Sequence, residues 1–87
     1  MNAFVKVVDA TYVGNFKILL EFNDGYKGII DLKDELWGEV FVPLKDELLF
    51  KQFTLKYGVL TWPNGADFAP EYLYERIQAK NEKNIPI

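Results

Sequence analysis

The side chains of this sequence that could take part in bond-making are few in kind. Six Asp and seven Glu supply the carboxylates, lysines and tyrosines add to them, and the chain has no histidine, cysteine or serine. That inventory excludes disulfide frameworks, thiolate or imidazole metal sites, serine or cysteine nucleophiles and imidazole proton transfer. What remains is carboxylate chemistry. Glycoside hydrolysis needs two carboxylates across a cleft, and no spacing here marks out such a pair. Asp9 and Asp31 sit in or beside apolar stretches and are the least surface-like acids; Asp67 follows a turn. These three are the groups that a small hydrolytic or ligand-binding domain would use, with burial raising a pKa. The structural alternative is pairing for Asp31, opposite Lys17, and helix capping for Asp67. Asn23-Asp24-Gly25 and Asn64-Gly65-Ala66-Asp67 each offer two side-chain oxygens, too few for a hard-cation loop. The six glycines are isolated, so no phosphate-cradling loop is present. No catalytic residue, metal or cofactor is therefore expected, and the chain reads as no enzyme.

The most distinctive stretch is Trp62-Pro63-Asn64-Gly65-Ala66-Asp67-Phe68-Ala69-Pro70-Glu71, a bulky aromatic, a turn, an acid and a helix-starting proline within ten residues. As structure, it is a strand-to-helix corner. Trp62 anchors the core edge, Gly65 supplies an unusual backbone angle, and Asp67 accepts N–H groups near the helix start. As function, it is a recognition corner that exposes Trp62, Asn64 and Asp67 to a partner, with Tyr74 on the outward side of the following helix.

The elements that must position this corner follow from patterning. Phe4–Val13, Phe16–Phe22 and Tyr26–Leu32 read as strands, with turns at Gly14-Asn15 and at Asn23-Asp24-Gly25. If Phe22 faces Tyr26, then Leu20 faces Gly28, Ile18 faces Ile30 and Phe16 faces Leu32, giving one wholly apolar side. The other side then pairs Glu21 with Lys27, Leu19 with Ile29 and Lys17 with Asp31. A two-residue Asp24-Gly25 loop would instead set Ile18 against Asp31, which puts charge into the buried face. Lys33–Gly38 reads as a helical turn or loop ended by glycine, and Val40–Leu44 as extended, with Pro43 barring a central strand. Asp46 caps a short helix through Phe50. Phe53–Tyr57 and Val59–Trp62 read as strands around Gly58, and a helix begins at Pro70, its start held by Phe68 and Leu73. Residues 81–87 lack periodicity and read as a frayed tail. The expected architecture is one α+β domain over residues 1–87: a small antiparallel sheet with an N-terminal hairpin, one short middle helix, and a C-terminal helix packed on one face.

Ten basic against thirteen acidic residues leave a formal charge of −3, with the lysines scattered and Arg76 the only arginine. Affinity for phosphate backbones comes from clustered cations, so direct nucleic-acid binding by this chain alone is not expected. No basic-then-apolar leader and no membrane-length apolar run is visible, which makes a cytoplasmic location the expectation. Ring-bearing residues reach 16%, beyond what a small core obviously needs, and Tyr and Trp tend to anchor interfaces.

WPNGADFAPEYLYE closely resembles the signature of the small prokaryotic family catalogued as domain of unknown function 2442. NFKILLEFNDGYKGIIDL and GEVFVPLKDELLF look like that family's hairpin and its F-x-P-L-x-D…F segment, and the resemblance runs from about Phe4 to Glu75. It implies no established activity and no agreed catalytic residues. Some members of the family carry an added helix-turn-helix domain, and others are encoded beside a small partner in what looks like a toxin–antitoxin arrangement. This chain stops where an added DNA-binding domain would begin, so it resembles the stand-alone form. The leading expectation is a small non-enzymatic protein-interaction module, antitoxin-like by that resemblance, bound to an unidentified protein or to itself. The alternative is a DNA-associated transcriptional regulator acting through a partner or an oligomer.

Overall fold

Alternation of apolar and polar residues builds the first sheet. The computed structural model describes residues 4–83, with side chains to residue 79. Strands β1 (Val7–Gly14), β2 (Lys17–Phe22) and β3 (Lys27–Asp31) form an antiparallel sheet in the order β1-β2-β3. The β2–β3 register pairs Ile18 with Ile30, Leu20 with Gly28 and Glu21 with Lys27, as the apolar-face argument requires. Ile18, Leu20, Phe22, Ile30 and Leu32 are buried on one side, and Leu19, Ile29 and Asp31 are exposed on the other. Gly25 closes the hairpin loop at φ +89°, where its N–H donates to Phe22 O at 2.9 Å. Asp24 Oδ1 accepts the Tyr26 N–H at 3.0 Å inside the same turn.

The first strand begins later than expected. Residues Phe4–Lys6 are tied instead to the hairpin tip: Asn23 Nδ2 donates to Phe4 O, and Asn23 N donates to Lys6 O. The second strand also starts one residue late, because Phe16 adopts φ +62°. That left-handed conformation is rare for a bulky residue. It is held by the Phe16 ring, which packs edge-on against Phe50 at 5.0 Å, and by its N–H, which donates to Tyr12 Oη at 3.2 Å.

A 3-10 turn (Lys33–Glu35) leads to Gly38, where φ of +91° reverses the chain. Val42–Lys45 forms a second 3-10 turn and not the extended segment expected there. Pro43 sits in its first residues, where a fixed φ suits a helical start and the missing N–H costs nothing. Helix α1 (Glu47–Phe50) is capped as anticipated, with Asp46 Oδ1 accepting the Leu48 N–H at 3.0 Å.

Strands β4 (Thr54–Lys56), β5 (Val59–Thr61) and β6 (Asp67–Phe68) make a second antiparallel sheet, with β5 central. The patterning did not foresee β6, which is only two residues long. The two sheets meet where Val7 N donates to Gly58 O at 3.0 Å.

Helix α2 (Pro70–Lys83) closes the fold, and its Leu73 and Ile77 join the core with Phe50, Leu60 and Trp62. It seats at Gly28, where an added Cβ would lie 2.3 Å from Ile77 Cγ2. Residues 81–83 belong to this helix, so that part of the expected tail is ordered as helix; residues 84–87 lie outside the described residues. The architecture is α+β, with the C-terminal helix packed against the sheet, and it divides the strands between two sheets where one was expected.

Candidate functional site

The 62–67 turn is built by side chain-to-backbone bonds. Gly65, at φ +94°, donates its N–H to Trp62 O, and Trp62 N donates to Ala66 O at 2.9 Å. Asn64 works in both directions: its Oδ1 accepts the Ala66 N–H at 3.1 Å, and its Nδ2 donates to Val40 O at 2.9 Å. The second bond fastens the turn to the loop that follows Gly38. Trp62 is 2% exposed, and its indole N–H donates to Phe50 O at 2.8 Å. It belongs to the core, so of the expected corner only Asn64 and Asp67 face outward fully.

What the turn and loop create together is a groove. Gly38 O accepts the N–H groups of Phe41 and Val42, curling the loop so that Phe41 reaches Phe68 with ring centroids 4.7 Å apart. Phe68 stacks in turn on Tyr72, at 6.0 Å and 10° between planes, and meets Trp62 edge-on at 5.9 Å. Trp37, Phe41, Phe68, Tyr72, Glu35 and Asp67 line an open cavity of about 350 Å³. Trp37 is 72% exposed at its side. Trp37 thus carries the ring-lined wall of this cavity out to solvent.

Charges along the groove are unevenly satisfied. Glu35 Oε2 pairs with Arg76 at 2.8 Å, and its Oε1 accepts the Tyr72 hydroxyl at 2.6 Å. The Glu35 hydrogen bond and burial hold the Tyr72 hydroxyl above its ordinary pKa. Arg76 also lies over the Tyr72 ring, 5.8 Å from its centroid. The Asp67 side chain takes no hydrogen bond or ion pair among the described residues, and its exposed carboxylate is the unbalanced charge of the rim. It does not cap α2 as expected. Asp67 pairs with Thr61 in the β5–β6 ladder, and Ala69, whose carbonyl accepts the Leu73 N–H, is the residue that precedes the helix.

Tyr74 lies away from this groove. It packs on Phe22 at 4.8 Å and on Tyr26 at 5.0 Å, and its hydroxyl donates to Asp24 Oδ2 at 2.5 Å. That bond lowers the Asp24 pKa and raises that of Tyr74. The four expected corner residues therefore separate: Asp67 on the groove rim, Asn64 as its clip, Trp62 beneath, and Tyr74 at the hairpin tip. Trp37, Phe41 and Tyr72 were not singled out from the sequence. The available signal was Trp37 itself, a tryptophan next to glycine in a segment with no apolar periodicity.

The remaining acids take simple positions. Asp9 and Asp31 are exposed on the outer face of the first sheet, so neither is the buried carboxylate that a hydrolytic or ligand-binding reading would need. Asp31 stands opposite Lys17 in register, and its Oδ1 accepts the Lys33 N–H at 3.0 Å. No group of three or more potential metal ligands occurs among the described residues, and no described helix is long and apolar enough to cross a membrane.

The profile of the family described as "Protein of unknown function (DUF2442)" matches residues 7–79, a span that includes both sheets, the groove and most of α2. The chain belongs to this family. No curated protein and no solved structure matches it. The DUF2442 match spans the hairpin and the turn segments and leaves the role of the groove to be argued from its own geometry.

Proposed function

We propose that this DUF2442 protein is a cytoplasmic protein-interaction module that docks its partner in the Trp37–Phe41–Tyr72 groove. The observation that carries the reading is the bare Trp37 ring beside an aromatic cleft whose one unbalanced charge is Asp67. Aromatic anchors in such clefts carry most of the energy of many interfaces. The partner that fits is a protein segment bearing a lysine or arginine. Its aliphatic stem lies along Trp37, its cationic head approaches Asp67, and the ring face adds a cation–π contact of about 0.5–1 kcal/mol. Arg76 already makes this kind of contact within the chain, over Tyr72. An antitoxin-like role, with the partner encoded alongside, is the form of this reading that the family resemblance favours.

The test is affinity isolation from the native host, followed by titration calorimetry with the identified partner. Trp37→Ala and Asp67→Asn each weaken binding about tenfold or more, the scale of an interface hot spot. Isolation that yields no stoichiometric protein, or a partner whose affinity ignores both substitutions, overturns the reading.

A further inference from the structure

We infer that the free edge of β3 pairs with the β3 edge of a second copy, joining two three-stranded sheets into one. The argument starts from which backbone groups β2 already uses. Phe22 N donates to Tyr26 O at 2.8 Å, and Leu32 N donates to Phe16 O at 3.0 Å. Hydrogen-bonded pairs in an antiparallel ladder recur every second residue. The pairs facing β2 are therefore Phe22–Tyr26, Leu20–Gly28, Ile18–Ile30 and Phe16–Leu32, in agreement with the register. The N–H and C=O groups of Lys27, Ile29 and Asp31 point the other way. β3 is the outer strand of its sheet, whereas the corresponding edge of β1 is met by the second sheet at Gly58.

A row of unused backbone groups is a template for another strand. Edge lysines ordinarily discourage this by meeting one another. Here a two-fold axis at Ile29 does the reverse: it sets Ile29 against Ile29 of the second copy, and Lys27 against Asp31 of the second copy. Side chains of these three residues all lie on the outer face, so each contact is between direct cross-strand neighbours. Within one copy, Lys27 stands opposite Glu21, and Asp31 stands opposite Lys17. The joined sheet thus carries an alternating row: Glu21, Lys27, then Asp31 and Lys17 of the second copy. Between the two such rows, Leu19 and Ile29, 38% and 44% exposed, meet their counterparts in one apolar strip. A shift of two residues along β3 sets Ile29 against a charged residue, so the axis at Ile29 is the register that satisfies every position. None of these residues lines the Trp37 groove, so the two inferences stand or fall apart.

Sedimentation equilibrium up to about 1 mM tests the pairing, since a millimolar Kd would still be registered there. The expected result is a dimer, with the amide hydrogens of Lys27, Ile29 and Asp31 becoming slow to exchange as the dimer forms. Ile29→Lys, which places two ammonium groups on the axis, weakens association at least tenfold while circular dichroism stays unchanged. Lys27→Asp and Asp31→Lys each weaken it, and the double variant recovers most of the loss because the opposite charges meet again. A monomer throughout the range overturns the proposal, as does a dimer in which those three amides exchange freely. A dimer abolished by Trp37→Ala and untouched by Ile29→Lys also overturns it, placing self-association in the groove. Because amide exchange is read on the unaltered protein, a variant that fails to fold leaves the outcome decided.

Discussion

The first sheet and the groove wall solve the same problem, placing side chains on a surface, by different means. In the β1–β3 sheet, position follows from local alternation: a three-residue loop sets the register, and each residue's face follows from its parity. In the groove, Phe41 meets Phe68 across 27 positions of sequence, and Asn64 reaches Val40 across 24. There, ring packing and one amide side chain do what a hydrogen-bonded ladder does in the sheet. The sheet is therefore resistant to single surface changes and sensitive to steric ones. The groove can lose its shape while the fold survives.

Substitution at Gly28 gives the largest expected effect and probes the steric side of this contrast. Gly28→Ala drives a methyl into Ile77 Cγ2 and costs about 1–3 kcal/mol, as overpacking does. Ile77→Leu removes that branch. The double variant is expected to be less destabilised than the two single losses summed, as measured by urea denaturation. Simple additivity would mean that the helix seats without regard to Gly28.

A smaller effect is expected at Asn64. Asn64→Ala removes both of its bonds and costs about 1 kcal/mol, yet the hairpin remains intact. Trp37 fluorescence and amide exchange at Val40–Phe41 report the loosened loop. Equal loosening of β2 amides would dissolve the distinction between the two regions.

The smallest effect is in pH dependence. The Asp24 pKa is lowered chiefly by the Tyr74 hydrogen bond, and that of Tyr74 is raised chiefly by the same bond. A lowered carboxylate contributes stability above its unfolded value of about 4, and that contribution is lost as pH falls through the folded value. A raised phenol contributes below its unfolded value of about 10, and that contribution is lost as pH rises through the folded value. The stability difference between the native protein and Tyr74→Phe is therefore widest between these limits and narrows at both ends. A difference constant from pH 3 to about pH 11 would remove the bond's role at the hairpin tip.

The same contrast explains what the sequence disclosed. The hairpin register was legible because only one pairing keeps Lys17, Lys27 and Asp31 off the apolar face, and Asp46 was legible because its cap acts two residues away. Asp67 was misread for a related reason: capping is a local argument, and the residue was already committed to a ladder with Thr61. Trp62 was read both as anchor and as contact, and its buried indole bond to Phe50 decides for the anchor. Trp37 and Phe41 could not be placed, because their neighbours are set by the curl after Gly38 and by an amide from a distant turn.

The seat at Gly28 also bears on strand register. A hairpin slipped by one residue would turn Lys27 or Ile29 toward α2, where Ile77 leaves no room even for a methyl. The C-terminal helix can then dock only on correctly paired strands. Packing of this helix therefore adds its own energy to the native register alone and none to a slipped one.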